Sequence, residues 1–229
     1  MKILIGCEES QTVCKAFRER GHEAYSCDVI SCSGGHPEWH LQMDVFEAIK
    51  LKKWDAAIFF PPCTYLTTSA NRHFMNNPDR WKKRLDAILF VYDLMNANIP
   101  RIAIENPKGV ISSYIRKPDQ YIHPYQFGDP EIKMTGLWLK GFPKLIPNNI
   151  VEPEYVLYRS KKTKSGFSKY GKITGSNPST NNPDNAKLRS KTYPGIASAM
   201  AEQWSDHLGS IEPCAESNAG MPKSSLHFA

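Results

Sequence analysis

The sharpest chemical feature of this sequence is a cysteine that follows two prolines at the end of an apolar run. Asp55-Ala-Ala-Ile-Phe-Phe-Pro-Pro-Cys63 reads as a buried strand whose prolines fix the backbone and hold the next side chain over the sheet edge. A thiolate in that position is a nucleophile, once a helix N-terminus or a nearby cation lowers its pKa from about 8.5. The competing reading is a small cysteine packed into a turn. Further on, Ile102-Ala-Ile-Glu105-Asn106-Pro107 puts a carboxylate and an amide at the end of another short apolar run. Gly6 with Glu8, and Asp28, also follow predicted strands. A glycine there lets backbone approach a ligand, and an acid ending the second strand can accept hydrogen bonds from ribose hydroxyls. Equally, Gly6 can shape a turn and Asp28 can cap a helix.

These residues act together only if one sheet edge gathers them, and the pattern predicts such an edge. Lys2 to Ile5 is a short strand, followed by Val13, Ala16 and Phe17 at helical spacing before Gly21. Ala24 to Ser26 reads as a strand ending at Asp28, Trp54 to Phe60 as one ending at Pro61-Pro62, and Arg101 to Ile104 as one ending at Glu105. Asn77-Pro78 opens a helix with Trp81, Leu85, Ile88, Tyr92 and Met95 on one predicted face. His123 to Phe127 and Thr135 to Lys140 read as a strand pair joined through Gly128-Asp129-Pro130, and Ile196 to Leu208 as a helix packed by Trp204. The expected fold is therefore α/β, a doubly wound, mostly parallel sheet with an antiparallel strand pair. Ligands bind beyond the carboxyl ends of such a sheet.

Charge adds a partner. The chain of 229 residues carries +6, but nine cations and one acid fall between Arg159 and Lys191, including Lys161, Lys162 and Lys164. A neutral-to-acidic body with one basic strip suits a polyanion, most often nucleic acid, although a solvated loop has the same composition. No apolar run is long enough to span a bilayer, and six scattered cysteines do not form a disulfide framework, so the expectation is reduced thiols in a cytoplasm. Cys27, Cys32, His36 and His40 have zinc-ligand types, but Pro37 breaks the helical frame their spacing needs, and a polar loop is the alternative. No metal is expected.

Taken together, Pro62-Cys63 and Glu105-Asn106 resemble the DNA cytosine-C5 methyltransferase family, which has a Pro-Cys nucleophile after its fourth strand and a Glu-Asn motif after its fifth. The other blocks follow in the family's order. Ile5-Gly6-Cys7-Glu8 stands at its first S-adenosylmethionine loop, Asp28 at its ribose-binding acid, and Asp44 where an acid meets the adenine. Gln126-Phe127-Gly128 through Lys133-Met-Thr135-Gly-Leu-Trp138 resembles the strand pair beside the target base, and Tyr193-Pro-Gly195-Ile-Ala197 the late motif that returns to the cofactor. The resemblance covers roughly residues 1–145 and 190–208. It implies a fold of the S-adenosylmethionine-dependent methyltransferase type over residues 1–208, with 159–191 as a basic insertion and 209–229 as a flexible tail.

It also implies roles. Cys63 and Glu105 are the catalytic pair; Gly6, Cys7, Glu8, Asp28, Asp44, Pro61 and Gly195 hold S-adenosylmethionine; Ser69, Asn106, Lys133 and Thr135 meet the substrate. The charge of the basic strip, rather than the resemblance, adds Lys161, Lys162 and Lys164 as expected phosphate contacts. In that chemistry the thiolate adds to C6 of cytosine while Glu105 bonds at N3, C5 takes the methyl group, and loss of the C5 proton expels the thiolate. The sequence departs from the family in four places, one of them Lys133, near positions where the family presents arginines. The first loop has Cys7-Glu8-Glu9-Ser10 in place of a run of glycines, Pro107 follows Glu105-Asn106 in place of valine, and a full target-recognition domain is missing. DNA, single- or double-stranded, is the expected partner. The rivals are the same chemistry on a free nucleotide or with a modified donor, and a non-catalytic nucleic-acid or nucleotide binder. Recognition sequence and oligomeric state are not legible.

Overall fold

The computed structural model describes residues 1–68, 71, 74–75, 77–159, 164, 167–171 and 191–209. Seven strands form one sheet in the order β3-β2-β1-β4-β5-β7-β6: β1 (Lys2–Gly6), β2 (Glu23–Asp28), β3 (His40–Gln42), β4 (Ala56–Phe59), β5 (Ile102–Pro107), β6 (Gln120–Ile122) and β7 (Thr135–Lys140). The first five run parallel, and β7 lies antiparallel between β5 and β6. This is the expected doubly wound, mostly parallel sheet with its antiparallel pair. A separate two-stranded ribbon pairs β8 (Tyr155–Arg159) with β9 (Phe167–Gly171).

Alternation along each strand sends side chains to two cores. On one face Ile3, Ile5, Ala56, Ile58, Ala103 and Leu137 pack with α1 (Thr12–Glu19) and α5 (Pro194–Gly209), where Trp204 is fully buried and donates to the Pro143 carbonyl at 3.0 Å. On the other, Leu4, Ala57, Phe59, Ile102, Ile104 and Trp138 pack with α2 (Val45–Leu51), α3 (Pro78–Met95) and the short α4 (Ile111–Tyr114). Because β1 and β4 bury both faces, their sequences are unbroken apolar runs. The chain leaves β1 towards β2 on one side and returns as β4 on the other. That reversal opens a crevice at the carboxyl edge.

Two expectations need correction. His123–Phe127 is not a strand: β6 ends at Ile122, and Pro124 starts a 3-10 turn over Pro124–Gln126. The face expected on α3 turns inward only in part, with Ile88 and Met95 packed against the core and the other three not. Trp81, Leu85 and Tyr92 are exposed, while Arg84, Val91 and Leu94 are buried, with Ala87 and Ile88 packed beside them. Both stripes have helical spacing, and the one containing Arg84 turns inward because its guanidinium finds oxygen partners in the loop after β4.

Candidate active site at the carboxyl edge

The loop after β1 starts at Gly6 because β4 and α2 press on it: a Cβ there would stand 2.5 Å from Phe59 Cδ1 and 2.8 Å from Val45 Cγ2. Cys7 takes the left-handed conformation, with φ of 60°. Burial, together with Asp28, Cys27 and Asp44, pushes its thiol well above the usual range, so it stays protonated. Asp28 ends β2 and accepts from the Ile30 amide at 3.2 Å; the exposed Asp44 caps α2, accepting from Phe46 N at 2.8 Å. One edge therefore carries Gly6, Cys7, Asp28 and Asp44 together.

Glu8, expected to touch a cofactor, instead turns into the protein. Its two carboxylate oxygens accept from Val13 N at 2.7 Å and Cys14 N at 3.2 Å, capping α1 from outside the helix. The residue at the cap position, Gln11, is left-handed and spends its side chain on Ser26 and on both backbone groups of His36. An acid in this loop thus satisfies helix amides and suits the positive end of the helix dipole. Burial raises its pKa to about 7 despite those amides.

That shift has a pH consequence. With the folded pKa above the unfolded value of 4.5, its stabilising contribution is complete below pH 4.5 and is lost as pH rises through about 7. Glu8→Gln should therefore flatten the fall in stability between those limits, by on the order of 3 kcal/mol at most. Urea denaturation of both proteins across that range measures it, and parallel curves would refute the assignment.

The Cys63 loop is held from three sides. Phe60 N donates to the Gly6 carbonyl at 3.0 Å, which joins it to the first loop. Asn106, completely buried at the end of β5, donates through Nδ2 to the Pro61 carbonyl at 2.8 Å, while its Oδ1 lacks a partner. Asn106 thus supports the loop from below. From α3, buried Arg84 donates to the Tyr65 carbonyl (2.8 Å), the Thr67 carbonyl (3.4 Å) and Asn71 Oδ1 (2.9 Å), and its guanidinium lies 3.7 Å from the Phe74 ring centre. Gly109 lets the chain after β5 close on the same loop, since a Cβ would lie 2.1 Å from the Leu66 carbonyl oxygen. Half-buried Cys63 starts a turn in which Leu66 N and Thr67 N donate to its carbonyl.

Beside it, β4 and β5 are parallel neighbours with Phe59 opposite Ile104, so Cys63 and Glu105 leave adjacent strands at one edge. Glu105 is half-buried, and desolvation holds its carboxyl above the usual range, against the opposing effects of Lys133 and a hydrogen bond with Thr135. The β5–β7 register sets Pro107 opposite Thr135 and Glu105 opposite Leu137, which brings Thr135 onto the Glu105 face. The Lys133 ammonium lies 5.5 Å from the Tyr193 ring centre, and Tyr193 donates to Glu131 at 2.5 Å. Gly195 N donates to Asp129 Oδ2 at 3.0 Å, tying α5 to the same corner.

Ser69, Lys161 and Lys162 lie outside the described residues, and Lys164 is an exposed turn residue remote in sequence from the edge. The zinc-type residues knit the β2–β3 connection instead. His40 bonds to Ser26 Oγ and the Ile30 carbonyl, both at 2.9 Å, and His36 stacks on Trp39 with centroids 3.8 Å apart. Among the described residues, no group of three or more His, Cys, Asp or Glu side chains could hold a metal ion. No described helix is long and apolar enough to cross a membrane. A groove of about 430 Å³ between α1 and α5, walled by Lys15, Glu19, Arg20 and Ser198, contains none of these site residues.

No protein-family model matches the chain, and no curated protein does. Among solved structures, it is similar to a proposed DNA modification methyltransferase encoded within an E. coli prophage, at 13% identity and a TM-score of 0.42 over 66% of this chain and 52% of that one. It is also similar to the 16S rRNA methylase RmtB, at 17% identity and a TM-score of 0.31 over 61% and 55%. The chain spans about half the length of each.

Proposed function

We propose that this protein transfers a methyl group from S-adenosylmethionine to C5 of cytosine in DNA through a covalent adduct at Cys63. The observation that carries the reading is the placement of Cys63 and Glu105 at the carboxyl ends of adjacent parallel strands, their loops joined by the Asn106–Pro61 hydrogen bond. The first loop suits the cofactor: Asp28 and Asp44 both lie near Cys7, from the β2 and β3 side of β1, where they would meet ribose hydroxyls and the adenine amino group. S-adenosylmethionine, when bound, supplies an electrophilic methyl group. Glu8 contributes indirectly, as the cap that fixes the loop, and Gly195 joins α5 to the corner.

The chain's own residues do the rest. The Cys63 sulfur adds to C6 of the ring. Glu105, whose carboxyl desolvation raises above the usual range, hydrogen-bonds at N3 and draws electron density as C5 becomes nucleophilic. Thr135 and Lys133 orient that carboxyl. After methylation at C5, loss of the C5 proton to solvent restores the double bond and releases the thiolate. In a duplex the base must first leave the stack, at a cost of a few kcal/mol that a single strand avoids. Lys161, Lys162 and Lys164 contact phosphates, which makes binding salt-dependent with little sequence preference.

The test supplies methyl-labelled S-adenosylmethionine with single-stranded DNA, duplex DNA or free deoxycytidine monophosphate. Label at C5 of cytosine in DNA is expected, and none where thymine replaces every cytosine. Label only on the free nucleotide would move the reaction to that substrate, and no label on any cytosine would overturn it.

A further inference from the structure

The face of α3 turned away from the sheet carries Trp81, Leu85, Leu89 and Tyr92, which are 48%, 57%, 59% and 51% exposed. They lie one helical turn apart and form a continuous apolar stripe on an otherwise charged surface. The stripe reads alike in both directions, with an aromatic residue at each end and two leucines between. Beside it, Lys82 lies near the helix start and Asp93 in the last turn. An acid in a last turn is opposed by the helix's own partial negative charge, so a cation alongside would relieve it.

We propose that α3 docks antiparallel on α3 of a second copy of this chain, across a two-fold axis passing between Leu85 and Leu89. One register satisfies both patterns. Leu85 then meets Leu89 of the other copy, Trp81 meets Tyr92, and Lys82 lies alongside Asp93, each contact occurring twice. Tyr92 also borders a groove of about 290 Å³, walled further by Met95, Ile115 and Trp138, into which Trp81 of the other copy inserts as the anchor. Asp86 approaches its own equivalent near the axis, and Lys82, one turn earlier on the same helix, offsets that repulsion. Four half-exposed side chains make a patch at the small end of the range for stable dimers, so association is reversible.

Sedimentation velocity of the full chain from about 1 to about 300 μM should show a concentration-dependent monomer–dimer equilibrium. Leu89→Glu should raise the dimer Kd by more than about tenfold. Lys82→Glu and Asp93→Lys should each weaken the dimer alone, because like charges then face each other twice. An equimolar mixture of those two variants should associate more tightly than either alone, since every pair in the mixed dimer is again opposite in charge. Both substitutions are on exposed positions, so this arm stands even if Leu89→Glu fails to fold. A chain that stays monomeric throughout, a folded Leu89→Glu variant with unchanged Kd, or a mixture no tighter than its components would overturn the proposal.

Discussion

Cys63→Ser is expected to lower methyl transfer to cytosine by at least about a thousandfold, because a hydroxyl is a far poorer nucleophile than a thiolate and the ring is inert without the adduct. The loop is fixed by contacts that the Cys63 side chain does not make: Asn106 to Pro61, Arg84 to Tyr65 and Thr67, and Phe60 to Gly6. The variant should therefore keep its melting temperature and its affinity for S-adenosylmethionine. Labelled transfer assays, thermal melts and isothermal titration check the three statements. Activity above about a tenth of wild type would refute a nucleophilic role.

Gly195→Ala should cost about 2–4 kcal/mol of folding stability, a large part of what a domain of this kind has. A Cβ at this position would lie 1.8 Å from the Phe127 carbonyl oxygen and 2.9 Å from Asp129 Oδ2. Backbone cannot yield there as a flexible side chain would, so α5 must lift from the corner, breaking the Gly195–Asp129 hydrogen bond and loosening Tyr193 above Lys133. Urea denaturation gives the difference directly. A loss under about 0.5 kcal/mol would mean that α5 and the 127–129 segment are less closely joined than the structure has them.

Strands announce themselves when both faces are buried, which is why β1, β4 and β5 were legible as apolar runs and placed Cys63 and Glu105 at strand ends. The supports of the loop were not legible, since they depend on partners far apart in the chain. Arg84 looks like a surface cation in an amphipathic helix until the carbonyls of residues 65 and 67 come within reach. Glu8 looks like a foreign acid in a glycine loop until two helix amides meet it. Asn106 carried a signal, as part of a Glu-Asn pair, but alternation on β5 turns it away from the Glu105 face. On α3 two stripes competed, and periodicity alone gave no means of choosing between them.

The central claim is a bond between the Cys63 sulfur and C6 of cytosine, and an oligonucleotide bearing 5-fluorocytosine captures it. Fluorine at C5 cannot leave as a proton does, so the adduct formed after methylation has no route to release the thiolate. Intact-mass spectrometry of the protein incubated with this oligonucleotide and S-adenosylmethionine should show a species equal to protein plus oligonucleotide plus one methyl group. Peptide mapping should place the link at Cys63, and the Cys63→Ser protein should form none. Methyl transfer to ordinary cytosine with no such species, or an adduct mapped to another cysteine, would contradict the mechanism.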